Sequence, residues 1–399
     1  MDDEARTPSG LDPAHRREPR TRPPWGRRWP PRHPRSEGGP GHGTARPAYA
    51  ALDLGTNNCR LLVARPAREG FRVIDAFSRI IRLGEGMGAS GRLGEPAIAR
   101  AIEALSICRD KMLNRGAARA RLIATEACRS AANGRDFCDR VLEEVGLDLE
   151  IVDRETEAAL AAIGCTPLMD PVAEGVILFD IGGGSSEIVR LGRNTPASGG
   201  PPSPQIRGWA SLPLGVVSLA ERYGGVRVDR AVYEAMTEEV MAHVRRFADE
   251  HCAGLNLNAT HLLGTSGTVT TIAGVYLDLP RYERRYVDGC WMSDAEISRV
   301  LDRLLAMNYA ERVANPCIGS ERADLVLAGC AILEAIRRAF PCRRLRVADR
   351  GLREGILVQL MREDGVWGSA PVPVVPGPEP GPPSRERDGG SRSEGTRDP

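Results

Sequence analysis

The chain has 399 residues, enough for two or more domains. Charged residues make up 27% of it and the formal net charge is +1, so no bulk charge marks it for nucleic acid or a membrane surface; aromatic residues are only 5%, so the core must be aliphatic. Of the 54 basic residues one is lysine, Lys111, and it lies outside any Gly-Lys-Ser/Thr run, which excludes a Walker-type phosphate loop.

Residues 1–47 carry ten arginines against six acids among many Pro and Gly, and predict a disordered tail. The folded body is expected over about 48–368. "YAALDL" (49–54) and "CRLLVAR" (59–65) read as strands joined by "GTNN", and "FRVIDAFSRIIRL" continues in β fashion. A helix follows over 96–113, with Pro96 near its start, then a strand at 120–125, a helix at 134–146 and a strand at 149–152. "RETEAALAAIGC" (154–165) predicts a helix with acids in its first turn. The pattern then restarts: "GVILFDIG" and "SSEIVRL" form a second strand pair around a glycine turn. "RNTPASGGPPSPQI" (193–206) reads as a flexible insertion, and "IRGWASLP" as a strand. Further on come a long helix over about 229–252, a strand at 260–267, helices near 268–277, 294–307 and 323–339, a strand at 345–349 and a last helix in "GLREGILVQLMR". Residues 369–399 predict a second disordered tail.

The fold class is therefore α/β, in two units that each open with a β-hairpin. Domain I is expected over 48–163 and domain II over 164–350, with the final helix, about 351–366, packing back on domain I. Matched turns, "DLGTNN" (53–58) and "DIGGGSSE" (180–187), mark a divergent internal repeat and a ligand site between the halves.

Three consecutive glycines followed by two hydroxyls offer backbone N–H groups to an anion, phosphate above all. A tight turn needing positive φ explains one glycine or two, not three. Asp53, Asp180 and Glu187 flank the turns and would repel phosphate unless a hard cation such as Mg²⁺ intervened. "GTSGT" (264–268) reads equally as a third phosphate loop or as a helix N-terminus capped by Ser266 or Thr268. Arg129 follows a strand and suits bidentate phosphate contact, although a lone arginine is weak evidence in an arginine-rich chain. Glu157, taken alone, reads as an ordinary first-turn glutamate. None of the six histidines is at metal-ligand spacing, and no C-x-x-C pair exists among the ten cysteines. Free thiols in a reducing cytoplasm are expected, with neither an apolar leader nor a run near the ~18 apolar residues of a membrane span.

In order and spacing, "ALDLGTNNCRLLVAR", "ATEACRSAAN", "RETEAALAAIG", "FDIGGGSSEIV", "GTSGT" and "ADRGLREGIL" resemble the exopolyphosphatase / guanosine pentaphosphate phosphohydrolase family over about 48–365. The resemblance implies two ribonuclease-H-like domains of the actin, sugar-kinase and Hsp70 superfamily, with the active site in the interdomain cleft. It also implies a hydrolase acting on phosphoanhydride bonds, removing terminal phosphate from polyphosphate or guanosine pentaphosphate with Mg²⁺ or Mn²⁺. By the same resemblance Glu157 is catalytic, and Asp53, Asp180 and Glu187 are metal-binding or water-positioning. Gly55, Thr56, Asn57, Arg129, Gly182, Gly183, Gly184, Ser185 and Gly267 would cradle phosphate, while Asp349 and Arg353 would be structural or domain-bridging. A homodimer is expected, with no nucleic-acid or membrane partner. Asn58 and Cys59 depart from the usual first loop. The long members' helical extension, with its His-Asp domain, is not expected here, which argues against a long polyphosphate channel. The alternatives are an ATP-dependent kinase or ATPase on the same loops, or a non-catalytic sensor of polyphosphate or alarmone.

Overall fold

A computed structural model describes residues 27–28, 46–68, 70–194 and 203–367. Its strands are β1 (Arg27–Arg28), β2 (Ala48–Leu54), β3 (Asn58–Pro66), β4 (Phe71–Ile80), β5 (Ala117–Ala124), β6 (Glu150–Ile151), β7 (Gly175–Ile181), β8 (Ser186–Asn194), β9 (Ser203–Leu212), β10 (Thr260–Thr265), β11 (Trp291–Ser293) and β12 (Arg344–Val347). The helices are α1 (Met87–Ser90), α2 (Glu95–Asn114), α3 (Glu126–Ser130), α4 (Gly134–Val145), α5 (Arg154–Cys165), α6 (Val216–Tyr223), α7 (Arg230–His251), α8 (Ser266–Tyr276), α9 (Arg284–Val287), α10 (Asp294–Ala306), α11 (Tyr309–Ala314), α12 (Val326–Ala339) and α13 (Leu352–Glu363).

Two sheets repeat one layout. In the first, β4–β3–β2 run antiparallel, and β5 then β6 add in parallel. In the second, β9–β8–β7 run antiparallel and β10 then β12 add in parallel, with β11 on the outer edge. The expected repeat is thus carried by topology. Each central strand is buried on both faces, because its residues on either face are almost all apolar. In β2, Ala50, Leu52 and Leu54 face α2 and α4, while Tyr49 and Ala51 face α13. In β7, Ile177, Phe179 and Ile181 join the core with α7, α8 and α12; Val176 and Leu178 face α5.

The final helix packs on the first sheet, as expected, through Leu352, Ile356, Leu357, Leu360 and Met361. Helix α5 behaves differently from expectation. It runs through the expected boundary at 163/164, and Ala158, Ala162 and Cys165 pack on β7 and β8 of the second sheet. One helix from each half therefore lies at the junction, and the two meet backbone to backbone. A Cβ on Gly355 would stand 1.9 Å from the Leu160 carbonyl oxygen, and one on Gly164 would stand 2.0 Å from that of Gly351. Gly355→Ala is expected to force α5 and α13 apart and to cost about 1–3 kcal/mol, measured as an earlier midpoint in urea.

The expected insertion at 193–206 has its ends in paired strands, Asn194 opposite Ser203; residues 195–202 lie outside the described residues. The expected tails do too, except for 46–47 and for Arg27–Arg28, which pair antiparallel with β5. All ten cysteines are free thiols. Among the described residues no helix is long and apolar enough to cross a membrane.

Candidate active site

Both matched turns sit at the same place in their sheets, one joining β2 to β3 and the other β7 to β8, and the chain brings them face to face. The first turn is closed by Gly55 N–H donating to Asn58 O at 2.9 Å, and the second by Gly182 N–H donating to Ser185 O at 3.0 Å. None of Gly182, Gly183 and Gly184 has positive φ, so turn conformation does not explain them. Close approach does. A Cβ on Gly183 would lie 3.0 Å from Thr56 Cβ and 3.2 Å from Asn57 N, and one on Gly184 would lie 2.8 Å from Thr56 Oγ1. The second loop is stripped of side chains so that it can meet the first. Its carbonyls are also committed: Gly182 O accepts from Val216 N–H at 2.9 Å and Gly183 O from Val217 N–H at 2.8 Å. Peptide planarity then aims the N–H groups of Gly183 and Gly184 the opposite way, away from α6, where they can receive an anion.

Between the lobes is a crevice of about 120 Å³, several times the ~10–15 Å³ that one water requires. Asp53, Glu126, Glu157, Asp180 and Glu187 line it, against two arginines, Arg60 and Arg322. At the crevice rim Arg82 Nη1 donates to Asp324 Oδ2 at 2.8 Å, and Gly86 N–H donates to Glu221 Oε1 at 3.0 Å, holding the lobes together. Gly55, Thr56, Asn57, Gly182, Gly183, Gly184, Ser185 and Gly267 all line the crevice, as do Asp53, Glu157, Asp180 and Glu187. Of the expected site residues, Arg129 is set apart from this lining.

The carboxylates raise one another's proton affinity. Burial, and then the charge of Asp180, lift Glu187 to about 7; burial, opposed by Arg60 and reinforced by Asp53, lifts Asp180 to about 6. Asp53 is raised by burial against the pull of Arg60 and Arg353. Glu157 is raised well above its ordinary range by burial and by Glu187, with Arg129 opposing. Ser211 Oγ donates to Glu187 Oε1 at 2.8 Å and fixes that side chain.

Arg129 stands behind the acids. Its Nη1 and Nη2 donate to Glu157 Oε2 at 3.1 and 3.2 Å, Nη1 donates to Val152 O at 2.8 Å, and Nη2 donates to Glu126 Oε2 at 2.5 Å. Both bonds to Glu157 end on Oε2, which leaves Oε1 for a water. Burial would raise Glu126, but hydrogen bonds from Ser130 and Arg129 outweigh it and keep that carboxylate ionised. The late motif also reaches the junction: Arg353 is in the field of Asp53, and Asp349 Oδ2 accepts from Tyr282 Oη at 2.6 Å.

Several lining residues escape sequence reasoning. Arg60 is cross-strand from Asp53, the register position that Glu187 holds opposite Asp180; aligning the two hairpins residue by residue would have found it. Arg322 carries no such signal, since it precedes α12 in an irregular segment. Burial, and then Arg60, lower its proton affinity, the mark of two cations sharing a small space. In "GTSGT", a Cβ on Gly267 would lie 3.7 Å from Arg60 Nη2 and 3.8 Å from Arg322 Cζ. Ser266 has φ 89°, a strained value for a non-glycine residue. Its Oγ, with Asn57 Oδ1 and Asn58 Oδ1, is buried without a hydrogen-bond partner among the described residues. Orphaned polar atoms and backbone strain at one place mark a ligand-binding wall.

A divalent cation fits this donor set. Among the described residues no three His, Cys, Asp or Glu side chains gather closely enough to cage a metal alone. Mg²⁺ needs no such cage, because it binds through one or two carboxylates together with water and phosphate oxygens. The crowded acids of the crevice supply the charge that such an ion would neutralise.

Known proteins resemble this chain in sequence and fold. The sequence profile of the Ppx/GppA phosphatase family matches residues 62–364. The chain is 28% identical over 325 residues to Exopolyphosphatase 2 of Mycobacterium tuberculosis, covering 78% of this chain and 98% of that protein. It is 25% identical over 317 residues to the guanosine-5'-triphosphate,3'-diphosphate pyrophosphatase of Aeromonas salmonicida, covering 79% of this chain and 60% of that longer protein. The crystal structure of the Aquifex aeolicus Ppx/GppA family member matches with a TM-score of 0.64 at 27% identity, over 80% of this chain and 98% of its own. That of an exopolyphosphatase from Cytophaga hutchinsonii, at 24% identity, matches in fold with a TM-score of 0.70, over 81% and 100%. The profile runs from β3 to the end of α13 and takes in both lobes: the chain belongs to the Ppx/GppA phosphatase family.

Proposed function

We propose that this protein is an exopolyphosphatase-type hydrolase that releases the terminal phosphate of inorganic polyphosphate, with guanosine pentaphosphate as a second substrate. One observation carries the reading: Glu157, at the junction helix, is held by Arg129 over a crevice formed by two facing phosphate loops. No aromatic side chain stands among the described residues lining that crevice, so nothing there offers a stacking surface for a base. That favours the inorganic chain over a nucleotide, and hydrolysis over ATP-dependent kinase chemistry.

In this reading the Gly183 and Gly184 N–H groups, with Arg60 and Arg322, hold the terminal phosphoryl group. Asp53, Asp180 and Glu187 would hold Mg²⁺ or Mn²⁺, which when bound neutralises charge on the phosphoryl oxygens. Glu157 takes a proton from the attacking water as the oxygen bonds to phosphorus; the bridging P–O bond breaks, and the shortened chain leaves as an anion needing no proton. Phosphoryl transfer depends mainly on positioning and charge stabilisation, which these residues supply. A cytoplasmic homodimer belongs to the same proposal and is tested by sedimentation.

Phosphate release from each substrate, with and without added Mg²⁺ or Mn²⁺, tests the reading; no release under any of these conditions would overturn it. Arg60→Ala and Arg322→Ala are each expected to lower kcat/KM about 10–100-fold, since each removes one charge-assisted contact to phosphate. Steady-state kinetics on medium-length polyphosphate checks this.

A further inference from the structure

A second cavity, of about 810 Å³, opens on the far side of the junction helices. It is larger than the catalytic crevice and within the range of small-molecule sites. Helices α5 and α13 each contribute to both spaces. Glu157 and Leu352, at their N-terminal ends, line the crevice, whereas Gly164 and Arg362, towards their C-terminal ends, line the cavity. Seven residues of helix separate Glu157 from Gly164, about 10 Å.

The cavity's chemistry is basic and aromatic. Among the described residues lining it, four arginines face two acids. Two of the arginines are committed, Arg350 to Asp288 and Arg284 to Glu354 at 3.0 Å. Arg68 and Arg362 remain. Among the described residues Arg68 makes no ion pair and is exposed, and Arg362 has a buried Nη1 without a hydrogen-bond acceptor. Trp367 and Phe71 add aromatic surface to the same cavity, and the Trp367 Nε1–H donates to Ala67 O at 3.2 Å, which fixes its ring. An orphaned guanidinium calls for an anion, and a fixed indole for a flat ring.

We propose that this cavity is a regulatory site for a nucleoside phosphate, its base against Trp367 and Phe71 and its phosphates on Arg68 and Arg362. A ligand here touches both junction helices at the point where they pack backbone on backbone. It favours whichever lobe arrangement fits it better, and so shifts the geometry of the catalytic crevice.

The test uses the full-length protein and ADP, with calorimetric binding read separately from turnover. ADP is expected to bind at sub-millimolar concentration in the presence of saturating polyphosphate, and to change the rate of phosphate release. Arg362→Gln and Trp367→Ala should each weaken ADP at least tenfold while basal hydrolysis is kept. Arg68→Gln, on an exposed residue with no part in packing, should do the same and guards against misfolding of the others. Displacement of ADP by polyphosphate, or ADP affinity unchanged in Arg68→Gln and Arg362→Gln, would overturn the proposal. Because binding is read without turnover, its failure is distinct from a failure of the hydrolase reading.

Discussion

Glu157→Gln is expected to lower kcat for polyphosphate by about 10²–10⁴-fold, the usual contribution of a general base, with KM little changed. Glutamine has nearly the same shape and can still meet Arg129 through its amide oxygen, so the crevice should keep its form. What it lacks is a basic oxygen. Burial and Glu187 raise the proton affinity of Glu157, with Arg129 opposing them; the carboxylate is thereby a stronger base than an ordinary glutamate. Thermal stability should hold or rise in the variant, because one crowded charge is gone. Undiminished turnover in a folded Glu157→Gln protein would remove Glu157 from the chemistry. A rise in KM with kcat intact would reduce it to a binding residue.

Raising the pH from 5 to 8 is expected to destabilise the cation-free protein by several kcal/mol. Asp180 is lifted from 3.8 to about 6, and Glu187 from 4.5 to about 7, by burial first and neighbouring acids second. Across this window the folded state keeps protons that the unfolded chain has lost. Stability is therefore greatest below the unfolded values and falls as pH rises through the folded ones. At 1.36 kcal/mol per unit, the loss between pH 5 and 8 is about 1 kcal/mol from Asp180 and about 3 kcal/mol from Glu187, less whatever the two share as a coupled pair. Glu126 and Glu296, shifted down, act only below their ordinary values, whereas His261, lowered by burial, gains stability as pH rises towards its ordinary value and offsets part of the fall. Melting curves between pH 5 and 8 check this, with Glu187→Gln as the comparison. The wild-type Tm should fall and the variant's fall should be shallower. Mn²⁺ or Mg²⁺ at pH 8 should restore wild-type Tm more than it restores the variant's. A flat wild-type profile would mean that the acids are not crowded as described.

Much of the architecture was legible because it rests on local pattern. Helix α5 begins and ends where its acidic first turn and apolar spacing predicted, and the hairpins β2–β3 and β7–β8 followed from apolar runs broken at glycine. The two acidic turns also announced the crevice, since carboxylates beside glycine-rich loops have few structural uses. The glycines themselves were half understood. Their N–H groups are free for an anion, but the space they leave is filled first by Thr56 and Asn57 of the opposite lobe. Arg129 shows the same limit from the other side: it faces Glu157 and Glu126, and nothing in the local sequence indicates which partner an arginine finds.

Sequence by itself determined the two-fold α/β plan, the acid set and the loops, because each depends on neighbours in the chain or on residue chemistry. Tertiary structure alone decided that Arg60 and Arg322 share the crevice, that α5 packs on the second sheet, and that a basic cavity lies behind the junction. Arg60 and Arg322 lie more than 250 positions apart, and even α5 and the second sheet meet across intervening chain. These contacts follow from how two sheets and two helices fit in space, and no spacing along the chain encodes that.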